Sequence, residues 1–240
     1  MKLPRSKSKK KSFPRRFLGW FLKLSARLIF ILLLLSIVQV FVLRYINPPF
    51  TLTTAVSWIQ QKITFSKYKG PDYQWKELKN ISPWLVQAVL AGEDQRFGSH
   101  NGFDFIELNK AVKDILESGR VRGASTITMQ VARTVFLWPE RNWLRKALEA
   151  YYTVLIELFW TKSRIIVMYL NTVDWGSGIM GAEAASQKYF QVSALDVNQN
   201  QAALMAAILP SPHRWSPVKP NKQVVERKKR ILRDMRKMHL

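Results

Sequence analysis

A strongly basic N-terminus followed by an uncharged apolar run constrains this chain more than any other feature. Residues 1–27 contain ten Lys or Arg and no acid, and residues 28–43 carry no charge at all. Sixteen residues reach only about 24 Å as a helix, less than the roughly 30 Å of a hydrocarbon core. The apolar character, however, extends back to about residue 17. The pattern predicts a transmembrane helix over residues 28–44, apolar from about residue 17.

The same asymmetry predicts how the chain is oriented. Basic flanks stay in the cytoplasm, so residues 1–27 form a cytoplasmic tail and the rest lies outside. Residues 45–80 are predicted to be a stem, and residues 81–240 an extracytoplasmic domain at the cell inner membrane. A cleaved signal peptide is the alternative, but no small-x-small cleavage site follows directly after Leu43.

The charge balance indicates an anionic partner. The chain has 38 Lys plus Arg against 16 Asp plus Glu, and 27 of the basic residues follow Arg44. Nucleic acid, an acidic membrane surface and a phosphorylated substrate all fit such an excess, and the outward orientation argues against nucleic acid. The absence of cysteine excludes disulfides, thiolate catalysis and cysteine-ligated zinc.

Helical patterns dominate from Ser82 onward, where Ser82 and Pro83 suit an N-cap and the first helical position. Gly119 ends a second pattern that begins near Ile106. Further helices are predicted at Ile127–Val135, Asn142–Trp160, from an N-cap at Ser163, Ala182–Phe190, Gln199–Leu209 and Val224–Met238, with a turn at Gly176–Gly181. No segment sustains a two-residue alternation, so the domain is predicted to be mainly α.

Some apolar residues have two possible environments. The run Phe136–Trp138 and the segment around Trp160 either dip into the membrane interface or are buried, and burial is the expectation for Trp160. Leu144 is assigned to the core face of its helix. The basic stretch Val224–Met238 is either a helix that lies on an anionic membrane or an ordinary C-terminal helix with a solvated face.

The first chemical motif is a pair of adjacent acids, Glu93 and Asp94, at the end of an apolar helix. The loop that follows contains His100 and leads to Asp104. A carboxylate at such a position is partly desolvated, which raises its pKa toward the range of a general base. A solvated turn is the alternative.

The second motif, Gly123 to Gln130, places glycine and hydroxyl residues at the start of a helix. Free N–H groups at a helix N-terminus suit a phosphate. An ordinary N-cap by Ser125 or Thr126 explains the same residues.

The third motif is a set of cations around one acid. Arg141, Arg145 and Glu149 are spaced by four, Lys146 precedes Glu149 by three, and Arg133 lies on the preceding helix. Arg before Glu is the less stabilising order for a helical pair, so helix stability explains the array poorly. Arginine forks bind phosphate oxygens, which suggests a pyrophosphate site. A solvated charged face remains the alternative.

Taken together, the motifs resemble the glycosyltransferase module of penicillin-binding proteins, the family 51 glycosyltransferases. The family pattern E-D-x-x-F-x-x-H-x-G-x-D is matched from Glu93 to Asp104, and R-K-x-x-E from Arg145 to Glu149. G-x-S-T-I-T-Q-Q is matched up to Gln130 except at Met129, which puts one polar contact in question. The remaining blocks match Tyr169–Asn171, Gly181–Ala185 and Ala203–Pro217, so that residues 70–220 are covered.

The resemblance implies a lysozyme-like helical fold with a membrane-proximal lobe, and an enzyme that polymerises peptidoglycan glycan strands. Such an enzyme transfers the growing lipid-linked glycan to the 4-hydroxyl of lipid II, with inversion and release of undecaprenyl diphosphate. Its expected partners are lipid II, the growing glycan, the bilayer and proteins of cell division or elongation. A divalent cation, Mg²⁺ or Mn²⁺, is a candidate cofactor, with Glu149 as its ligand; no organic cofactor is expected.

The resemblance also implies a role for individual residues. Glu93 is the expected base, and Glu149 assists near the pyrophosphate. The residues expected to bind the donor and its pyrophosphate are Arg133, Arg141, Arg145, Lys146, Ser125, Thr126 and Gln130. Those expected to support the Glu93 loop are Asp94, Phe97, His100 and Asp104.

No transpeptidase activity is expected. S-x-x-K matches such as Ser6–Lys9 and Ser216–Lys219 have no K-T-G or S-D-N partner in the sequence. The alternatives are a lytic enzyme of lysozyme-like fold and a membrane scaffold without activity. The cation cluster argues against the first, because a neutral polysaccharide leaving group needs no pyrophosphate site, and the intact pair of acids argues against the second.

Overall fold

The computed structural model describes residues 15–49, 73–119, 123–140 and 142–238, with side chains from residue 18. The chain divides into two compact units, before and after Leu43. Helix α1 (Arg15–Leu43) makes up the described part of the first unit. Its segment Leu18–Leu43 is long and apolar enough to cross a membrane, with a mean hydropathy of 2.6. The helix therefore begins well before the predicted span of residues 28–44.

The second unit is built almost entirely of helices, which confirms the mainly α prediction. In chain order these are α2 (Pro83–Glu93), α3 (Phe105–Ser118), α4 (Ile127–Phe136), α5 (Trp143–Phe159), α6 (Lys162–Thr172), α7 (Ala182–Phe190), α8 (Gln199–Ile208) and α9 (Lys222–Asp234). Short 3₁₀ turns lie at Leu78–Asn80, Phe97–Ser99 and Met235–Lys237.

The predicted turn at Gly176–Gly181 is instead part of a small hairpin. Strands β1 (Asp174–Gly176) and β2 (Ile179–Met180) pair antiparallel, with Asp174 opposite Met180. The strands are too short to show an alternating pattern in the sequence, so their pairing could not be predicted.

Two groups of helices pack closely. Helix α2 lies against α8 and α9, and α4 lies against α5 and α6. Small side chains on α8, among them Ala203 and Ala206, are fully buried and let its neighbours approach. Gly92 shows how tight the first group is, since a Cβ there would lie 3.3 Å from Cδ1 of Ile231 on α9. These two groups meet at the end of α2, where Glu93 contacts residues of both.

The helix starts and ends are partly as predicted. Gly119 adopts a left-handed conformation after α3, and Asn142 caps α5 through its side chain. Ser82 precedes α2, but its hydroxyl donates to the Val197 carbonyl rather than capping the helix. The cap of α6 is Thr161, not Ser163, because the Thr161 hydroxyl accepts from the Arg164 amide.

The apolar surfaces differ more from the prediction. Leu144 was assigned to the core but is 64% exposed. Phe136 and Leu137 are buried, with the Phe136 ring stacked on Tyr152 at 4.6 Å, so these two do not face a membrane interface. Trp160 is buried, as expected. A group of exposed apolar side chains lies instead on one face of α3 and at the start of α5: Phe105, Leu108, Val112, Ile115, Leu116, Trp143 and Leu144.

The segments on either side of the undescribed residues 50–72 are held against the domain. Arg164 on α6 donates to the carbonyl oxygen of Ile46 at 2.8 Å and to Oδ1 of Asn47 at 2.7 Å. Beyond the gap, the Tyr73 hydroxyl donates to the Pro48 carbonyl oxygen, and Lys76 exchanges two hydrogen bonds with the side chain of Asn171. Both parts of the predicted stem thus make specific contacts with the helical domain.

Candidate active site

Glu93, the expected base, is the last residue of α2, and both of its carboxylate oxygens have a donor. Oε1 accepts from Nη2 of Arg227 at 2.9 Å, and Oε2 accepts from Nε2 of Gln130 at 3.1 Å. The two donors lie on different helices, α9 and α4. About 14% of the Glu93 side chain remains exposed. The carboxylate is therefore fixed in orientation and still within reach of a ligand.

The groups around Glu93 shift its pKa in opposite directions. Burial raises its pKa, and the charge of Arg227, with the hydrogen bonds from Gln130 and Arg227, offsets only part of that rise. The neighbouring Asp94 charge raises the pKa further. The C-terminal end of a helix is also an unfavourable place for a negative charge, because the helix dipole is negative there. The result is a carboxylate that binds a proton more readily than an exposed Glu, which suits a general base.

Behind Gln130 lies the phenol of Tyr169, from the predicted Tyr169–Asn171 block. Its hydroxyl is 3.5 Å from Oε1 of Gln130, and Nε2 of the same amide faces Glu93. Burial raises the pKa of Tyr169 well above its usual range, and the charge of Glu93 adds to the rise. Tyr169 is thus a neutral donor. The positive charge of Arg133, a predicted donor-site residue, acts on the same phenol.

The loop after Glu93 is held by the four residues expected to support it. Asp94 accepts from the Ile127 amide at the start of α4 through Oδ2 and pairs with Nε2 of His100 through Oδ1, both at 2.9 Å. Asp104 caps α3 by accepting from two backbone amides. Phe97 is buried beneath the His100 ring edge. These contacts tie the loop to the helices on both sides of it.

In the segment Gly123–Gln130, the hydroxyl of Thr126 has a structural use. It caps α4 by accepting from the Met129 amide, and it donates to the Gly102 carbonyl at 2.6 Å. The N-cap alternative thus accounts for Thr126, whereas Ser125 remains half-buried beside it. The side chain of this segment that faces the Glu93 carboxylate is Gln130.

Glu149 is held differently, by cations on its own helix. Its carboxylate is 2.6 Å from Nζ of Lys146 and 3.4 Å from Nη1 of Arg145, and its side chain is 1% exposed. Arg145 is also buried, and its Nε has no hydrogen-bond partner among the described residues. The predicted cluster is therefore present for these three residues. Arg141, predicted to belong to it, lies outside the described residues.

The donor set at Glu149 does not fit a divalent cation. A divalent cation takes several oxygen ligands, whereas the groups that contact the Glu149 carboxylate are two cations, which repel a metal ion. Within the described ranges, Asp94, His100 and Asp104 offer ligand atoms within 4.8 Å of one another. Their bonds to backbone amides and to each other account for the proximity.

Arg227 is the site residue that was missed by the sequence analysis. It lies in a basic run on α9, but it falls on the same helix face as the buried Val224 and Ile231, at spacings of three and four. A cation on the apolar face of an amphipathic helix was the signal available. That face packs on α2 and α8, so the apolar residues of α9 belong to the domain, as the C-terminal-helix alternative expects.

Comparison with known proteins gives one family. The family described as Transglycosylase matches residues 61–236. The chain is similar to a biosynthetic peptidoglycan transglycosylase of Caulobacter vibrioides, 46% identical over 81% of this chain and 82% of the relative. The protein of that name from Bdellovibrio bacteriovorus is 46% identical over 79% and 75% of the two chains, and that of Bacteroides thetaiotaomicron 44% over 83% and 80%. The chain belongs to the transglycosylase family and is an enzyme of peptidoglycan synthesis.

Proposed function

We propose that this enzyme extends glycan strands by transferring a growing lipid-linked glycan to the 4-hydroxyl of lipid II. The acceptor oxygen forms a bond to the anomeric carbon of the donor, and the bond from that carbon to the diphosphate breaks. The hydroxyl proton passes to Glu93, and undecaprenyl diphosphate leaves from the opposite face, so the anomeric centre is inverted. The observation that carries the proposal is the partly exposed Glu93 carboxylate with a raised pKa and a donor on each oxygen.

The leaving diphosphate needs positive charge, and the Glu149 cluster supplies it in this proposal. Arg145 is buried with an unpartnered Nε among the described residues, and Lys146 is half-exposed beside it. Charge-assisted hydrogen bonds from such groups stabilise a developing phosphate charge. Glu149 would hold the two cations in place, with Arg133 and Arg141 adding further positive charge. No step is assigned to Mg²⁺ or Mn²⁺, because the Glu149 oxygens already face Lys146 and Arg145.

The apolar surface supports a substrate that stays in a bilayer. Phe105, Leu116 and Trp143 are strongly exposed, the last at 92%, and they belong to the group on α3 and the start of α5 described above. Exposed apolar side chains grouped on one helix face are typical of a membrane or partner contact. A polyprenyl substrate and an anchored enzyme would then meet in two dimensions, at a high effective concentration. Partners from cell division or elongation remain an expectation.

The proposed location is the inner membrane, with the N-terminus in the cytoplasm. The ten basic residues before residue 28 support that orientation. Because the chain has no cysteine, a single exposed Lys219→Cys substitution gives a clean probe. It should react with a membrane-impermeant maleimide once the outer membrane has been permeabilised; labelling only after lysis of the cytoplasmic membrane would reverse the orientation.

We expect no transpeptidase activity. The hydroxyl of Ser216, in the S-x-x-K match Ser216–Lys219, accepts from the Lys219 amide and so closes a turn. The match at Ser6 lies outside the described residues. A penicillin-type acylation assay on the purified protein should therefore give no covalent adduct, and an adduct would overturn this expectation.

The central test is turnover of purified lipid II by the detergent-solubilised protein. Wild type should give long glycan and free undecaprenyl diphosphate, and Glu93→Gln should lose at least about 100-fold in rate, since a general base contributes roughly 10²–10⁴. Glu226→Gln is the matched control, an exposed acid paired with Lys229. Cleavage of preformed glycan without polymerisation would point to the lytic enzyme, and no reaction in either assay to a scaffold.

A further inference from the structure

The proposed function requires Glu93 to be ionised when the acceptor arrives, and the contact with Arg227 has so far no role. We propose that Arg227 is a positioning residue, which keeps the Glu93 carboxylate ionised and aimed so that it can take the acceptor's proton. This inference rests on the proposed function. Its geometric basis is one nitrogen, Nη2 of Arg227, which donates to the Gly92 carbonyl at 2.7 Å and to Glu93 Oε1 at 2.9 Å.

The two contacts of Nη2 fix position as well as charge. The Gly92 carbonyl belongs to the last turn of α2, whose final carbonyl groups have no partner within the helix. By binding that carbonyl and the next side chain together, Arg227 locks the Glu93 carboxylate relative to its own backbone. Gln130 holds the other oxygen from α4. The carboxylate therefore has little freedom to rotate away from an acceptor.

In the described part of the chain, Arg227 is the cation that contacts the Glu93 carboxylate. The other charged or titratable groups near Glu93 are acidic, neutral or further away. On the same turn, Asp94 adds a like charge. From α6 comes the neutral phenol of Tyr169, and from α4 comes Arg133, which acts on that phenol. Gln130 donates a hydrogen bond but carries no charge. Loss of the Arg227 cation would leave burial and Asp94 to favour the protonated, inactive form.

Helix packing alone explains Arg227 poorly. It lies between Val224 and Ile231 on the face that α9 packs into the domain, where an apolar side chain would bury surface without desolvating a charge. Its Nε is buried and has no hydrogen-bond partner among the described residues. A charged side chain at this position lowers the stability of the packing around α9. Its contact with the Glu93 carboxylate is the feature that explains its presence there.

The test compares the pH dependence of kcat/KM on lipid II for wild type, Arg227→Gln and Arg227→Lys. The acid limb reports the ionisation of the free enzyme's base. For Arg227→Gln it should move to higher pH by about one unit or more, the usual effect of an opposite charge at this distance. Arg227→Lys, which keeps the charge, should fall between the two, and Arg230→Gln, an exposed cation on the same helix, should match wild type. An equal loss at every pH would reduce Arg227 to a packing residue and overturn the proposal.

A second readout needs no turnover. Infrared spectra of the substrate-free protein are recorded during a pH titration. From each spectrum, that of the same protein with Glu93→Gln is subtracted, which isolates the carbonyl band of protonated Glu93. The band should persist to higher pH in Arg227→Gln than in wild type. If it disappears at the same pH in both, the proposal is wrong whatever the activity. If it shifts while wild type makes no glycan, the proposed function fails and the role of Arg227 in holding the charge stands.

Discussion

Two carboxylates in this domain, one buried and one partly exposed, are held in opposite ways. Glu149 binds cations of its own helix, at spacings of three and four, and is almost completely enclosed. Glu93 takes one donor from α4 and one from α9, and part of its side chain stays accessible. The partner Arg227 is 134 residues away along the chain. One carboxylate is therefore compensated locally, and the other only after the whole domain has folded.

The difference suggests different tasks. A carboxylate compensated by two cations of one helix is held as a structural anion, which keeps those cations ready for a second anion. Burial raises the pKa of the Glu93 carboxylate, and a single cation lowers it again in part. Such a carboxylate is suited to exchanging a proton. On this comparison we propose that Glu149 organises charge and that Glu93 performs the proton transfer.

The largest effect on stability is expected from Glu149→Gln. The change leaves Arg145 buried without its counter-charge, and breaking a buried pair in this way costs about 3–5 kcal/mol. The apparent Tm should fall by roughly 6–20 °C at about 2–4 °C per kcal/mol. Glu117→Gln, which breaks an exposed pair with Lys113 on α3, should change the apparent Tm very little. Equal behaviour of the two variants in a thermal scan would contradict the structural role of Glu149.

A smaller but broader effect is expected from Gly102→Ala, because Gly102 links the two regions. Its carbonyl accepts from Thr126, and a Cβ on it would lie 2.7 Å from Cγ2 of Thr153, one turn beyond Glu149. Gly102 also has φ +87°, a conformation that costs other residues about 1–3 kcal/mol. The variant should lose about 2–3 kcal/mol from strain and overpacking combined.

The control for Gly102→Ala is Gly98→Ala in the same loop, where an added Cβ meets nothing within 4 Å. Its denaturation midpoint should stay close to that of wild type. Polymerisation by Gly102→Ala should also fall, since the loop that supports Glu93 would shift against α5. A variant with normal stability and activity would show that the two carboxylates are not coupled through this contact.

The smallest effect is a pH-dependent gain for Glu93→Gln. Because the folded-state pKa of Glu93 is raised, ionisation costs the folded state, and wild-type stability falls as pH rises from the unfolded pKa through the folded one. Neutral Gln lacks that cost. The apparent Tm of Glu93→Gln should therefore gain on wild type as pH rises above about 4.5 and level off above the folded pKa. Glu226→Gln, at an exposed acid, should show no such trend; a gain for Glu93→Gln that shrinks with rising pH would contradict the raised pKa.

The sequence predicted well what depends on near neighbours. The apolar N-terminal helix, the α-helical periods, the helix start near Asn142 and the helix stop at Gly119 follow from residues within a few positions of one another. The contact of Glu149 with Arg145 and Lys146 follows from helical spacing alone. Errors of the same kind were small: Thr161 rather than Ser163 caps α6, since both are hydroxyl residues at one helix start.

Surfaces were harder to predict. A helical period identifies an apolar face but does not show whether that face meets a core. On α3 the face with Leu108 and Val112 is exposed, whereas Phe136 at the end of α4 is buried against Tyr152. Only the packing of α4 on α5 decides the second case.

What the sequence by itself determined is the class of protein: a mainly helical domain behind an apolar anchor, an acid at a helix end, and a cation cluster of set spacing. What only the tertiary structure decided is the state of that acid. The rise in the pKa of Glu93 comes from burial by other elements, and the cation that opposes it stands on the last helix of the chain. Desolvation and a contact across 134 residues depend on how the helices pack. A local sequence pattern therefore does not predict them.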